Sequence, residues 1–190
     1  MKEQKRIQIV QRLDYLKNFC KGKKVLHLGC TNYPYTNEVI KNGTHLHLQL
    51  ENFADLLYGF DYDQKGLDIL TEKGVKNLYK ADLEKLDEVE IDETFEVIIA
   101  GEMIEHLNNP GLFLDGIKRF MNNKTDLVIT TINAYCGLRF IVYFLRGKGG
   151  VQEAVHPDHV AYYSYSTLNL ILKRHSLKVT DFLFYDLGAE

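Results

Sequence analysis

Short apolar runs alternate with amphipathic segments at least five times along this chain, and this alternation constrains the fold more than any other feature. The apolar runs predict strands at residues 24–28, 58–61, 75–79, 95–99, 127–132 and 177–185. Helical periodicity predicts helices at residues 4–20, 44–57, 67–73, 109–121, 138–145 and 166–175. Strands that alternate with helices form a parallel sheet with helices on both faces. The sequence therefore predicts an α/β doubly wound fold with a mostly parallel sheet.

The length of 190 residues suits one domain with its own hydrophobic core. We expect a single domain over residues 1–190, with an N-terminal helix within 1–22 and an insert at 133–163 that folds over the site as a lid. Only one strand, Leu177–Tyr185, follows the last predicted helix. The sheet is therefore expected to be shortened there or completed by a partner, and its exposed edge favours a homodimer.

Charge and cysteine content argue against several classes of partner. The formal net charge of -3 provides no basic surface, so nucleic acid is not expected as a partner. The cysteines Cys20, Cys30 and Cys136 lack the spacing of a metal site and are typical of reduced thiols. No signal-peptide pattern follows the charged N-terminus, and the longest apolar run, Phe140–Leu145, is too short to cross a membrane. We therefore expect a cytoplasmic protein without a membrane partner.

Three polar side chains directly follow the fourth predicted strand, residues 95–99. The small residue Gly101 allows the backbone to turn, and Glu102, Glu105 and His106 come next. If Glu102 opens a helical turn, these three side chains share one helical face. Ligands of open parallel sheets bind at the carboxyl ends of the strands. The sequence therefore predicts a functional site at this turn.

Acidic residues and a glycine mark the ends of the other predicted strands. Gly29 follows the first strand, Asp61 ends the second, and Asp82 follows the third. The right-handed crossover rule brings all these strand ends to one edge of the sheet. A turn role would explain either aspartate alone, but their occurrence together in register favours a ligand site.

These segments, in this order, resemble the class I S-adenosylmethionine-dependent methyltransferases, which have a Rossmann-like fold. The segments that carry the resemblance are Val25–Cys30, Gly59–Asp63, Ala81–Leu83, Phe95–Leu107 and Asn109–Gly111. The resemblance implies that Asp61 accepts hydrogen bonds from the ribose hydroxyls of S-adenosylmethionine, while Tyr62 lies on the adenine. It also implies that Asp82 accepts from the exocyclic amine of the adenine. The implied cofactor-binding residues are Gly29, Asp61, Tyr62, Asp82, Leu83 and Gly101.

The loop after the first strand departs from the family pattern. The family carries an acid two residues before the first glycine and further glycines in alternation. Here His27 stands in place of the acid, and Thr31 and Tyr33 stand in place of the later glycines. The chain is therefore either an enzyme or a non-catalytic methyltransferase-like binding or scaffold domain. A nicotinamide-binding domain would also need several glycines, which argues against a dehydrogenase.

The pattern Glu-x-x-Glu-His resembles small-RNA 3′-terminal 2′-O-methyltransferases and, more loosely, ubiquinone-pathway O-methyltransferases. In the first group a distal Asp-His pair completes the set, and here His159 is the matching histidine. The resemblance implies a divalent metal, Mg²⁺, Mn²⁺ or Fe²⁺, on Glu102, Glu105, His106 and His159. It also implies that Glu105, His106 and His159 are catalytic. Two alternatives stay open, a general base that acts without metal and a purely structural role.

The acceptor is predicted from the insert. A His-Pro-Asp-His segment before the last helix resembles bacterial methyltransferases encoded with surface-polysaccharide enzymes. That resemblance implies a small-molecule or sugar acceptor, and the alternative is 2′-O-methylation of a short RNA end. Aromatic and basic side chains suited to a charged sugar are Tyr135, Arg139, Tyr143, Arg146, Lys148, Tyr162, Tyr163 and Tyr165. His45 and His47 are predicted to be surface or packing residues.

Overall fold

The computed structural model describes residues 8–137, 141, 145 and 158–185. Five parallel strands form the central sheet in the order β4-β3-β2-β5-β6. They are β2 (Lys24–Leu28), β3 (Leu56–Asp61), β4 (Leu78–Lys80), β5 (Phe95–Gly101) and β6 (Met121–Thr130). Two further strands, β1 (Ile9–Val10) and β7 (Phe184–Tyr185), pair in parallel in a small sheet of their own. The predicted α/β fold with a parallel sheet is confirmed.

Six α-helices lie wholly within the described residues. They are α1 (Arg12–Cys20), α2 (Thr36–Lys41), α3 (Leu46–Leu50), α4 (Gln64–Glu72), α5 (Pro110–Gly116) and α6 (Tyr165–Arg174). Short 3₁₀ helices occupy Leu86–Glu88, Ile104–His106 and Ile117–Phe120. No helix within the described ranges is long and apolar enough to span a bilayer.

Both faces of the sheet are covered, because successive side chains of a strand point to opposite sides. Val25 and Val97 pack with Leu16 of α1 and Leu50 of α3 on one face. On the opposite face, the side chains of β2, β3 and β5 pack against α5 and α6 in the larger core. The fully buried members there include Leu26, Leu28, Phe60, Ile98, Phe113, Leu114 and Ile117.

Two terminal elements differ from the prediction. The helix predicted at residues 4–20 begins only at Arg12, because Ile9–Val10 extends and pairs with β7. The strand predicted at Leu177–Tyr185 was wrong except for its last two residues, and these pair with β1 rather than with the central sheet. The sheet therefore ends at β6, whose outer edge meets no strand of the described chain.

Several internal boundaries also differ. The helix predicted at 44–57 ends at Leu50 because Leu57 belongs to β3, although both leucines pack in the same core. Helix α2 was not predicted. The last helix is capped by Ser164 rather than Ser166. Ile141 and Leu145 of the helix predicted at residues 138–145 are helical, as is the preceding Gly137, and the rest of that prediction lies outside the described residues.

Candidate functional site

The turn after β5 is held to the end of β6. The backbone N–H of Glu102 donates to the Thr130 carbonyl oxygen at 3.0 Å and to the Thr130 hydroxyl at 3.2 Å. Glu102 itself adopts a left-handed backbone with φ of 50°. Because the following 3₁₀ helix begins only at Ile104, the prediction that Glu102, Glu105 and His106 share one helical face was wrong.

Three of the predicted residues come together at this turn. One ligand atom each from Glu105, His106 and His159 lies within 4.8 Å of the other two. Glu105 is fully buried, and its Oε2 accepts a hydrogen bond from the Thr131 hydroxyl at 2.9 Å. Its Oε1 is buried and has no hydrogen-bond partner within the described residues. Burial, reinforced by the nearby Glu102 carboxylate, raises the pKa of Glu105 to about 7.

Backbone contacts bring His159 to this turn from a distant part of the chain. The Glu105 carbonyl oxygen accepts from the N–H groups of Val160 at 2.9 Å and Ala161 at 3.2 Å. The rings of His106 and His159 meet edge to face, with centroids 4.6 Å apart. His106 Nδ1 lies 3.1 Å from the carbonyl oxygen of Asp158 and must donate its proton there. In the neutral ring, His106 Nε2 therefore carries the lone pair.

Glu102 lies in a different set of contacts. Its carboxylate accepts a hydrogen bond from the Tyr185 hydroxyl, which also lies 3.3 Å from the Thr131 carbonyl oxygen. Burial and the negative charge of Glu102 raise the pKa of Tyr185 well above its ordinary value. The Arg12 guanidinium lies 5.9 Å from the centre of the Tyr185 ring. Of the four predicted metal ligands, the structure groups Glu105, His106 and His159, and Glu102 lies outside that group.

Arg12 and Tyr185 were not predicted as site residues. A Cβ placed on Gly101 would lie 3.1 Å from Nη2 of Arg12, so the guanidinium packs directly on the end of β5. The pairing of β1 with β7 brings both residues to the site from the two ends of the described chain. No sequence motif marks either residue, because their meeting depends on long-range strand pairing.

The predicted cofactor residues Gly29 and Gly101 end neighbouring strands. Leu28 pairs with Ala100, so the two glycines follow paired residues at the same edge. Gly29 has φ of 73°, a backbone conformation that favours glycine. A Cβ built on Gly29 would meet only Met103, at 3.9 Å, among the described atoms. The backbone at this point is therefore open to close approach.

Asp61 holds the loop after β2. Its Oδ2 accepts from the Thr31 N–H at 2.8 Å, and its Oδ1 accepts from the Asp63 N–H at 2.9 Å. A carboxylate oxygen has two lone pairs, so each oxygen keeps the capacity for one further hydrogen bond. The side chain is 9% exposed. Asp61 can therefore stabilise the loop and also accept hydrogen bonds from a ligand.

The remaining predicted cofactor residues lie beside Asp61. Tyr62 is 71% exposed, and the Lys80 ammonium lies 5.5 Å from the centre of its ring. Asp82 Oδ1 accepts from the Glu84 N–H at 3.0 Å, and Leu83 packs partly buried against the large core. These residues follow the adjacent strands β3 and β4, so the structure places all six predicted cofactor residues along one sheet edge.

The sequence is similar to those of known methyltransferases. Residues 2–181 match the sequence model of a family described as a methyltransferase domain. The ubiquinone biosynthesis O-methyltransferase of Hahella chejuensis (strain KCTC 2396) is 25% identical over an alignment of 166 residues that covers 79% of this chain and 65% of that protein. The chain thus spans less than two thirds of this curated relative.

Solved structures share the fold. A SAM-dependent methyltransferase from Aquifex aeolicus superposes with a TM-score of 0.60 at 19% identity, covering 88% of this chain and 80% of that one. A SAM-dependent methyltransferase from Archaeoglobus fulgidus has a TM-score of 0.54 at 19% identity, covering 85% of this chain and 64% of that one. At these identities the likeness concerns the fold.

Proposed function

Because this chain belongs to the methyltransferase-domain family, we propose that it is an S-adenosylmethionine-dependent enzyme that methylates an oxygen atom of a small or sugar-type acceptor. The family match over residues 2–181 supports the methyl transfer. The main support for an oxygen atom as the methyl acceptor is the cluster of Glu105, His106 and His159, because such groups can take the proton from an acceptor hydroxyl. The curated O-methyltransferase relative supports the same choice.

The residues at the sheet edge fit the cofactor. S-adenosylmethionine supplies an electrophilic methyl group on a sulfonium centre. Asp61 has lone pairs for the ribose hydroxyls, and Asp82, which follows the adjacent strand β4, is the proposed acceptor for the adenine amine. Gly29 leaves the backbone accessible for the methionine part of the cofactor, whereas the Arg12 guanidinium packs on Gly101. The exposed ring of Tyr62 offers an apolar face for the adenine.

Methylation of a hydroxyl requires the removal of its proton. The neutral imidazole of His106 directs its Nδ1 proton to the Asp158 carbonyl, which makes Nε2 the basic nitrogen. Glu105 lies within the same cluster, and its pKa of about 7 allows it to exchange a proton near neutral pH. His106 with Glu105 is therefore the proposed base in the absence of metal.

The same cluster fits a divalent ion. One carboxylate and two imidazoles suit Mn²⁺, Fe²⁺ or Co²⁺ better than Mg²⁺, which prefers oxygen ligands. The buried Glu105 Oε1, which has no partner within the described part of the chain, is the proposed oxygen ligand. When bound, such an ion would stabilise the alkoxide of the acceptor. We propose this metal-assisted form ahead of the metal-free base.

The proposed acceptor is a surface-polysaccharide precursor. The Tyr162 ring lies 6.2 Å from that of His159, so an aromatic face borders the cluster where a sugar would bind. A short RNA end offers the same kind of hydroxyl, but the net charge of -3 disfavours it. Acceptors of both classes belong in one activity screen.

Calorimetry with S-adenosylhomocysteine tests the cofactor assignment. One binding site is expected for the wild-type protein, with weaker binding in Asp61→Asn, because the amide loses one acceptor. The absence of binding at millimolar ligand would contradict the enzyme and favour the scaffold domain.

Titration with Mn²⁺ tests the metal. His159→Gln is expected to abolish binding, and His175→Gln, which changes a histidine outside the cluster, should bind as the wild type does. Full methyl transfer in excess chelator would refute the metal-assisted form and leave His106 as the base.

A further inference from the structure

The loop after β2 lacks the later glycines of its family, yet a glycine outside the loop makes room for it. Thr31 is fully buried, although it occupies a position where the family has glycine. Its side chain packs on Gly66 of α4. A Cβ on Gly66 would lie 2.5 Å from Thr31 Cβ and 2.8 Å from Thr31 Cγ2, which is closer than such atoms can approach. The absence of a side chain at Gly66 of α4 therefore leaves the room that the Thr31 side chain needs.

A second glycine outside the loop makes a matching gap. Gly59 lies in β3, and a Cβ there would be 2.7 Å from the Cys30 Sγ and 2.8 Å from the His47 Cε1. Cys30 is 1% exposed, so its side chain also points into the protein. The side chains of Cys30 and Thr31 thus occupy gaps beside Gly59 and Gly66, away from solvent.

Two side chains also hold the peptide groups of Thr31. Its N–H donates to Asp61 Oδ2 at 2.8 Å, and its carbonyl oxygen lies 3.3 Å from His45 Nε2. His45 Nδ1 lies 3.4 Å from the Leu48 N–H and accepts from it as the N-cap of α3. Because Nδ1 accepts, the proton of the neutral ring is on Nε2 and is donated to Thr31. Burial lowers the pKa of His45, which favours this neutral form.

We propose that Gly59, Gly66, Asp61 and His45 together hold the loop in one binding conformation in place of the family's glycines, and that His45 is a positioning residue for the cofactor. The cofactor part of this inference rests on the proposed function. A loop that is already ordered loses little conformational entropy when a ligand binds. The altered motif is therefore a different way to build the loop, rather than a sign of a degenerate domain.

Thr31→Gly distinguishes the two interpretations by opposite signs. If the motif is degenerate, restoring the family's glycine should tighten binding of S-adenosylhomocysteine. If the packing against Gly66 orders the loop, the same change should weaken binding on the order of threefold or more, since contacts are lost and backbone freedom is gained. Tighter binding by Thr31→Gly would overturn the proposal.

A double-mutant cycle of Thr31→Gly with Gly66→Ala separates the loss of packing on Gly66 from the added backbone freedom of a glycine at position 31. Gly66→Ala should weaken cofactor binding in the wild-type background, because its methyl group collides with Thr31. In the Thr31→Gly background the collision with Thr31 is removed and only the contact with Asp63 Oδ2, 2.6 Å from that Cβ, remains, so the same alanine should have a smaller effect than in the wild-type background. Additive effects of the two substitutions would contradict the packing argument.

His45→Asn separates helix capping from loop positioning. Asparagine is a preferred N-cap residue, so α3 and the melting temperature should be retained. Its amide is too short to reach the Thr31 carbonyl, and the Kd for S-adenosylhomocysteine should rise roughly three- to tenfold. His45→Ala should lose both capping and positioning. A His45→Asn variant with wild-type Kd would refute the role of His45.

Hydrogen exchange keeps this test independent of the cofactor. The Thr31 amide, which donates to Asp61, should exchange faster in His45→Asn than in the wild type because the loop is held less firmly, and unchanged exchange would refute the contribution of His45 to holding the loop. If the wild-type protein binds no cofactor, the proposed function fails, but the exchange experiment still decides whether the loop is held as proposed.

Discussion

Glu105 is a fully buried carboxylic acid. Its Oε2 accepts from Thr131, its backbone carbonyl holds the segment of His159, and Glu102 lies close enough to raise its pKa. In an acid whose folded pKa exceeds the unfolded value, stability is present at low pH and is lost as pH rises through the folded pKa. Glu105 therefore destabilises the folded protein above about pH 7 unless a cation or proton accompanies it.

Replacing Glu105 by glutamine should remove this pH dependence. Between pH 5 and pH 8 in chelator, the wild-type carboxyl is expected to lose about 2 kcal/mol of stability, and the neutral amide of Glu105→Gln should show no such loss. Urea denaturation of both proteins at the two pH values measures the difference. Equal pH dependence in both proteins would show that Glu105 is not perturbed by burial.

At the scale of elements, local patterns predicted the type of most elements better than the residues at which they begin and end. Buried strands such as Lys24–Leu28 are short continuous apolar runs, and this run was predicted with its observed bounds. Helix ends depend on individual capping contacts, and two serines near the start of α6 offer equivalent local signals. Ser164 is the N-cap of α6: it is buried and exchanges hydrogen bonds with Thr167, whereas Ser166 is exposed.

The capping assignment of α6 can be measured directly. Ser164→Ala should lower the free energy of unfolding by about 1 kcal/mol, because the Ser164 hydroxyl that accepts from the Thr167 N–H at the helix start is lost. Ser166→Ala is the matched control and should have an effect near zero. If chemical denaturation showed a larger loss for Ser166→Ala than for Ser164→Ala, Ser166 would be the capping residue, as predicted from the sequence.

At the scale of the whole molecule, three buried histidines among the described residues lie outside the proposed catalytic cluster. His27 and His47 stack with ring centroids 5.4 Å apart, and their Nδ1 atoms lie 3.2 Å apart. Burial lowers the pKa of His27 well below its ordinary value and that of His47 to about 3, and it also lowers the pKa of His45. Since a histidine with a lowered folded pKa favours the unfolded state in acid, stability should fall below about pH 6.5.

The His47→Gln variant tests this acid sensitivity. From pH 7 to pH 5, wild-type His47 should contribute a loss of about 2 kcal/mol that the variant lacks, while His27 and His45 act in the same direction. The carboxyl of Glu105 acts in the opposite direction over this range and is common to both proteins. Urea denaturation at the two pH values measures the contrast, and parallel pH profiles would contradict it.

The outer edge of β6 is also a property of the whole molecule. A groove of about 930 Å³ runs along it, lined by residues of α1, α6 and the segment 176–185. The homodimer predicted from the sequence would cover this edge, and it stays a prediction. Sedimentation of the protein at micromolar concentration measures it, and a monomer would contradict it.

Local pattern was sufficient for the parallel sheet, for the strand ends that gather at one edge, and for the candidates Asp61, Glu105 and His106. Apolar periodicity and the polar residues at strand ends depend only on residues that are close in the sequence, so they can be recognised without knowledge of the fold. Tertiary structure alone decided that Glu102 bonds to Tyr185 and that His45 holds Thr31. These contacts join distant segments through backbone hydrogen bonds and packing, and no local pattern encodes such geometry.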